Sequence, residues 1–185
     1  MNNGIIIHLY VNSYCGNKCP LCCNNKYDID NLPVITVEQL KKATTLCLTG
    51  GDPFFYNGIN SFVNRLRRQY SNINYIYAYT SGSALFLNKN NYKEQIENLD
   101  GINVCPKTKN DWKFFTSWID KIEMNELNNK SNRLYVFDDQ YANYEKYSKV
   151  IDFESFGFNI IGRKWDDKFT TPDNEIFVRL PILLD

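Results

Sequence analysis

The sequence predicts an α/β fold, one compact domain built on a parallel sheet. Three observations predict it. Five or six short β-branched or aromatic runs alternate with helical patterns along the chain, the order that right-handed strand–helix–strand units produce. The 185 residues suit one domain that buries roughly 70% of its unfolded surface. No linker, internal repeat or low-complexity block divides residues 1–185.

Each element has a local reason. Gly4–Asn12 (GIIIHLYVN) is β-branched and aromatic and reads as a buried first strand. Residues 13–31 are polar and rich in Cys and Asn, a long loop of the kind that usually carries function. Thr36 with Gln39 three residues later opens a short helix. Thr45–Thr49 is a second strand, stopped at Gly50-Gly51. Phe62, Val63 and Leu66 mark a helix over Ile59–Tyr70. Asn74–Thr80 alternates as a third strand and stops at Ser81-Gly82. Asn91–Leu99 is a polar helix, and Gly101–Cys105 a fourth strand ended by Pro106. Trp112, Phe115, Trp118, Ile119 and Ile122 predict a long helix over Asp111–Asn128. A fifth strand (Arg133–Phe137), a helix (Ala142–Val150) and a weaker sixth strand (Phe158–Gly162) follow. The apolar stretch Glu175–Leu184 has no assigned state.

Composition excludes several classes of function. Lys plus Arg number 21 and Asp plus Glu number 21. That balance rules out a general nucleic-acid binder held by excess positive charge. A 43% hydrophobic, 15% aromatic chain is not disordered. No apolar run approaches the ~20 residues of a membrane span. The opening Met1-Asn2-Asn3-Gly4 lacks the regions of a signal peptide, so a cytoplasmic location is expected. In that reducing compartment, clustered cysteines bind metal or do redox chemistry.

The cysteines are Cys15, Cys19, Cys22, Cys23, Cys47 and Cys105. Cys15, Cys19 and Cys22 form a C-x3-C-x2-C run. Three thiolates on one loop can converge on one iron–sulfur cluster, and a four-iron cluster with three cysteines keeps one iron open for chemistry. Structural zinc is the alternative. It usually needs a second pair of ligands, for which only Cys23, Cys47, Cys105 or His8 are candidates. Cys23 reads as a spare thiol, not an iron ligand. His8 reads as a packed core residue and Arg65, Arg67 and Arg68 as a solvated helix face.

At this run the chain resembles the radical S-adenosylmethionine (radical SAM) superfamily, whose cluster loop is C-x3-C-x-φ-C. Leu21 takes the φ position, usually aromatic. The resemblance spans roughly residues 5–110. It implies a partial (βα)6 barrel of parallel strands, a [4Fe-4S] cluster on the three cysteines, and SAM on the open iron. Reductive cleavage of SAM would then yield a 5′-deoxyadenosyl radical that abstracts hydrogen from a substrate. Thr49-Gly50-Gly51-Asp52-Pro53 looks like the family's Gly-Gly-Glu-Pro motif, which holds the SAM amino group, with Asp52 in place of Glu. Thr80, Ser81 and Gly82 fall where the family places SAM-ribose contacts. Cys105-Pro106-Lys107 is similar to the SAM-contacting Ser-Pro-Lys of 7-carboxy-7-deazaguanine synthases. Leu21 and Cys23 join these as expected SAM neighbours. All the turns lie at the C-terminal ends of predicted strands, the edge where parallel α/β folds bind ligands.

Two subfamilies share pieces of the chain. Cys19–Lys26, the Gly-Gly-Asp-Pro turn and Ile76–Asn88 resemble anaerobic ribonucleotide reductase activases, which act on a glycine of a partner protein. Their Gly-Pro-Gly-x-Arg stretch is missing. The deazaguanine synthases match in compact size and at Cys105–Lys107, yet no Gln-Gly-Glu-Gly precedes the cluster loop, and Asn24 stands where their Thr binds magnesium. The expected function is hydrogen abstraction from a small, nucleoside-like substrate. A glycyl-radical partner protein, or a non-catalytic iron–sulfur or zinc protein, are the alternatives. An external electron donor of flavodoxin or ferredoxin type is implied. Arg163-Lys164-Trp165 is a candidate for an anionic substrate group or the SAM carboxylate.

Overall fold

The period-two runs become seven strands: β1 (Ile5–Asn12), β2 (Ala43–Gly50), β3 (Tyr75–Thr80), β4 (Gly101–Val104), β5 (Asn132–Phe137), β6 (Phe158–Arg163) and β7 (Glu175–Arg179). The computed structural model describes residues 4–25, 29–87, 91–123, 126–165 and 171–184. The strands form one open sheet in the order β6-β5-β4-β3-β2-β1-β7. Every pair is parallel. The six expected strands stand side by side in chain order, consistent with a partial barrel.

The seventh strand gives a state to the stretch that the sequence left unassigned. Residues 175–179 pair with β1, placing Phe177 opposite His8 and Arg179 opposite Tyr10. Only Val178 of this edge strand is buried. Its burial therefore leaves almost no period-two imprint in the sequence.

The helices are α1 (Val37–Lys42), α2 (Ile59–Gln69), α3 (Ser83–Leu87), α4 (Tyr92–Ile96), α5 (Lys109–Ile119) and α6 (Tyr141–Ser148). The Thr36–Gln39 capping box forms at the start of α1. The helix α5 ends well before the expected Asn128. Ile122 and Leu127 are still buried, but from turns. The spacing of Ile122 reports burial, not helicity. Residues 124–125 of that stretch lie outside the described residues. Arg67 leaves the solvated face predicted for it and pairs with Asp100 at 2.6 Å, while Arg65 and Arg68 are exposed.

Alternation gives the sheet two unlike faces. Ile7, Leu9, Leu46, Leu48, Ile76 and Ile102 are among the residues that point to the helices and join the core with Phe62, Trp112 and Phe115. The opposite face carries polar and aromatic side chains. On it His8 stacks on Phe177 at 4.3 Å, and Tyr79 meets Tyr135 at 6.2 Å. Among the described residues, no helix is long and apolar enough to cross a membrane.

Phe115 stands at the centre of the helical side. It is fully buried, stacks on Phe153 at 5.7 Å and meets Phe158 edge-on at 5.5 Å. Its Cβ also lies 2.8 Å from where a Cβ on Gly82 would stand, and Gly82 has φ +89°. Phe115→Ala is expected to cost about 3–5 kcal/mol of stability by urea denaturation. A loss under 1 kcal/mol would show that α5 does not pack on the sheet as described.

Candidate functional site

The cysteine loop leaves β1 pinned to the turn after β2. The amides of Gly51 and Asp52 donate to the carbonyls of Asn12 and Tyr14 at 2.8 and 2.9 Å. The Asn12 side-chain amide donates to the Asp52 carbonyl at 3.0 Å. Backbones approach so closely that a Cβ on Gly50 would stand 2.3 Å from the Asn12 carbonyl oxygen, and one on Gly51 1.9 Å from that of Tyr14. Gly50 also has φ +137°, a conformation L side chains rarely adopt. The two glycines therefore serve first to bring the cysteine loop against the strand end. The Asn24 side chain donates to the Gly50 carbonyl at 2.9 Å and ties the far arm of the loop to the same turn.

Within this frame the loop carries Cys15, Cys19 and Cys22. Cys19 is buried, and Cys15 and Cys22 are partly exposed. Burial pushes the Cys19 thiol up to about 12, with the charges of Asp111, Cys22 and Cys15 adding to it and Lys107 opposing. Burial also raises Cys15, where the Asn17 amide opposes and Asp52, Cys22 and Asp111 add. Cys19 thus feels both Cys15 and Cys22, and Cys15 feels Cys22. Among the described residues, no three His, Cys, Asp or Glu side chains stand at the spacing of a single metal ion. Thiolates that each take a different iron of a cluster are held farther apart, and soft sulfur donors suit iron–sulfur centres. By donor chemistry alone, three soft thiols are a set that such a centre can take. Cys23 opens a short 3₁₀ turn, and its side chain lies outside the described residues.

Asp52 is bonded within the protein. Its carboxylate is 1% exposed and turned towards the end of β3. It accepts from the Thr80 hydroxyl at 2.7 Å and the Ser81 amide at 3.2 Å. Its other oxygen accepts from the Phe54 amide at 3.2 Å, capping the Pro53–Phe55 turn. Burial pushes Asp52 up to about 6 against these hydrogen bonds. The Thr80 hydroxyl in turn accepts from the Gly82 amide at 2.9 Å. The Gly-Gly-Asp-Pro and Thr-Ser-Gly turns, expected to contact SAM separately, are one hydrogen-bonded unit.

A second carboxylate, Asp111, escaped the sequence reading, as did Asn17. The Asn17 side chain donates to Asp111 and to the hydroxyls of Ser81 and Ser83, the latter two at 2.9 Å. Asp111 accepts from the Lys107 amide at 3.0 Å and the Thr108 hydroxyl at 2.9 Å, and the Cys19 thiol approaches it at 3.9 Å. The Thr108-x-x-Asp111 spacing at the start of α5 was a legible cap signal. Asn17 carried no local signal, because its partners lie 64 to 94 positions away.

The Cys105-Pro106-Lys107 turn reaches the same place. The Cys105 amide donates to the Thr80 carbonyl at 2.8 Å, and Pro106 is buried. The Lys107 ammonium donates to the Leu21 carbonyl at 3.1 Å and lies over the rings of Trp165 and Phe137 at 4.9 and 5.5 Å. Burial pushes the Cys105 thiol up to about 11, with Lys107 and Arg163 opposing.

Beneath the loop is a small cavity of about 50 Å³, lined by Asn24, Ile29 and Leu32 above and by His8, Tyr10, Thr49 and Phe177 of the polar face. His8 lines it as well as packing. Its Nε2 stands 2.7 Å from Glu175. Burial lowers its pKa, with Glu175 opposing.

Asp52 sets a pH test. Its folded value, about 6, exceeds the 3.8 of an ordinary aspartate. The group therefore favours folding fully below about pH 4 and loses that contribution as pH rises to about 6, up to about 3 kcal/mol. The stability difference between wild type and Asp52→Asn, from urea titrations, is expected to shrink over that window. A constant difference contradicts the assignment. Asn17→Ala is expected to speed amide hydrogen exchange over residues 15–22 roughly tenfold, the effect of a lost hydrogen bond to a charged group. Unchanged exchange contradicts the loop anchor.

No family model matches this chain, and neither does any curated protein. Among solved structures, it is similar to BtrN in complex with AdoMet and 2-DOIA, with 18% identity and a TM-score of 0.49 over 71% of this chain. The chain covers 56% of the length of BtrN in that comparison. It is also similar to the catalytic domain of a family GH18 chitinase from the fern Peteris ryukyuensis, with 15% identity and a TM-score of 0.33 over 84% of this chain and 66% of that one.

Proposed function

We propose that this chain is a radical SAM enzyme that holds a [4Fe-4S] cluster on Cys15, Cys19 and Cys22 and uses it on a small-molecule substrate. One observation carries the reading. Three thiols of a C-x3-C-x2-C loop lie at the C-terminal edge of a parallel sheet, on a loop rooted in the Gly50-Gly51 turn and bonded through Asn17 to Asp111, with Cys19 feeling both Cys15 and Cys22. Three sulfurs for four irons leave one iron for a further ligand. Cluster and SAM, when bound, supply reductive cleavage of SAM and the hydrogen abstraction that follows.

The chain's own groups do the positioning. Asn12 and the glycine pair fix the root of the loop, and Asn17 fixes its middle. Lys107 holds the backbone at Leu21, next to Cys22. Leu21, Cys23, Gly50, Gly51 and Pro53 form the SAM wall on the loop and β2 side. Thr80, Ser81, Gly82 and Cys105 to Lys107 form it after β3 and β4. Asp52 acts in this wall by holding Thr80 and Ser81 in place. The α5 side of the loop, with Cys19 beside Asp111, disfavours a bare thiolate, so metal charge is what stabilises the deprotonated ligands. The electron comes from an external flavodoxin- or ferredoxin-type donor.

Anaerobic loading with iron and sulfide, then dithionite and SAM, tests this. Wild type is expected to bind about four irons with inorganic sulfide, as a four-iron cluster requires, and to release 5′-deoxyadenosine. Cys15→Ala, Cys19→Ala and Cys22→Ala each lose the iron, and Cys23→Ala keeps it. One bound zinc without sulfide, or iron loss in Cys23→Ala, overturns the ligand assignment.

A further inference from the structure

We propose that the cavity under the cysteine loop binds a hydroxyl group of a small molecule, with the His8 imidazole as its acceptor and Glu175 holding that imidazole in place. The pairing of β1 with β7 puts both residues on one face. Ile6 lies opposite Glu175 and His8 opposite Phe177, so alternation turns His8, Glu175 and Phe177 to the same side. His8 Nε2 stands 2.7 Å from the Glu175 carboxylate. The ring lies on Phe177 at 4.3 Å, with 9° between the planes. The first contact fixes the rotation of the ring and the second its plane. An ionised carboxylate can only accept a hydrogen bond, so the proton of the neutral ring sits on Nε2. Burial, which lowers the pKa of His8 against the pull of Glu175, keeps the ring neutral near neutral pH. Nδ1 then carries a lone pair, and among the described residues it meets no donor.

The cavity supplies the room. Its volume of about 50 Å³ is several times the ~10–15 Å³ that one water needs, and it suits one small group of a larger molecule. Ile29, Leu32 and Phe177 make much of its wall apolar. A full charge would lose hydration there, and the nearby carboxylate is already engaged by His8. A neutral hydroxyl meets both conditions, since it offers a proton to Nδ1 and loses less on leaving water. The His8 and Glu175 side chains keep 13% and 24% of their exposure, so the pair is reachable. Asn24, on the opposite wall, is bonded to the Gly50 carbonyl. A hydroxyl in this cavity therefore belongs to a molecule held against the arm of the loop that follows Cys22.

The inference names a group on the substrate of the proposed enzyme and rests on that reading for its meaning. The binding itself needs neither cluster nor SAM, so the two fail separately. His8 is the single histidine of the chain, so nitrogen NMR of the isotope-labelled protein has one imidazole to read. Without added metal or SAM, the ring proton is expected on Nε2. Ethylene glycol and isopropanol are each expected to move the Nδ1 resonance saturably, and acetate and ethylammonium to leave it in place. Fragments this small bind at about millimolar strength, so titrations run to about 100 mM. His8→Gln keeps an amide against Glu175 and removes the acceptor. Read from the backbone amides of Thr49 and Phe177, its affinity for the alcohols is expected to fall roughly tenfold. Glu175→Gln serves where that variant does not fold. Its amide can donate or accept, so the ring proton is expected to spread over both nitrogens. A wild-type proton on Nδ1, no saturable movement with either alcohol, or unchanged affinity in His8→Gln overturns the proposal and leaves the pair as a staple between β1 and β7. An equal response to ethylammonium overturns the hydroxyl assignment.

Discussion

The architecture of the site depends on one buried carboxylate. Asp52 sits after β2, is almost wholly out of water, and accepts hydrogen bonds from the turn after β3 and from its own 3₁₀ turn. A buried carboxylate left unpaired would be costly. Here it has three short or moderate partners and still holds its proton more tightly than in water. The Gly50-Gly51 backbone ahead of it closes on Asn12 and Tyr14, so one turn joins the ends of β1, β2 and β3. The cysteine loop grows from that junction. Asn17 then bonds the loop to Ser81, Ser83 and Asp111, extending the same network to the start of α5.

The two faces of the sheet differ in chemistry. The helical face is uniformly apolar and carries the core. The other face is built from Tyr, His, Arg, Asn and Cys, many held by ring contacts instead of apolar packing. Parallel sheets covered on both sides are usually apolar on both. A polar second face has no use as core, and it lies below the very loop that carries the cysteines. The His8–Glu175 pair at one side and the arginines at the other give that face opposite electrostatic character across its width.

Much of this was legible in the residues. The strand runs predict six of seven strands in their true order, because each stops at a turn signal such as Gly50-Gly51, Ser81-Gly82 or Pro106. The cysteine spacing marked the loop that the structure roots on the turn after β2. What stayed hidden was non-local. Phe177 and Val178 read as a featureless apolar stretch until β1 supplies the partner. Asp111 looked like a helix position, and its second role appears only when Asn17 arrives from far along the chain. The Gly-Gly-Asp-Pro motif marked the turn, but the bond from Thr80 to its carboxylate joins residues 28 positions apart and left no local signal. Ile122 kept helical spacing after the helix had ended, since burial from a turn imitates periodicity.

Thiol chemistry links this framework to its proposed use. Cys19 is pushed far above an ordinary thiol by burial and by Asp111, so the loop favours protonated cysteines until a metal centre supplies compensating charge. The central claim is that this centre keeps a corner open for SAM. The electron paramagnetic resonance spectrum of the dithionite-reduced, iron-loaded protein, taken before and after SAM is added, tests it most directly. The account predicts a reduced four-iron signal whose g-values move on adding SAM. A signal that SAM leaves untouched, as from a cluster already capped by a fourth protein ligand, would contradict it.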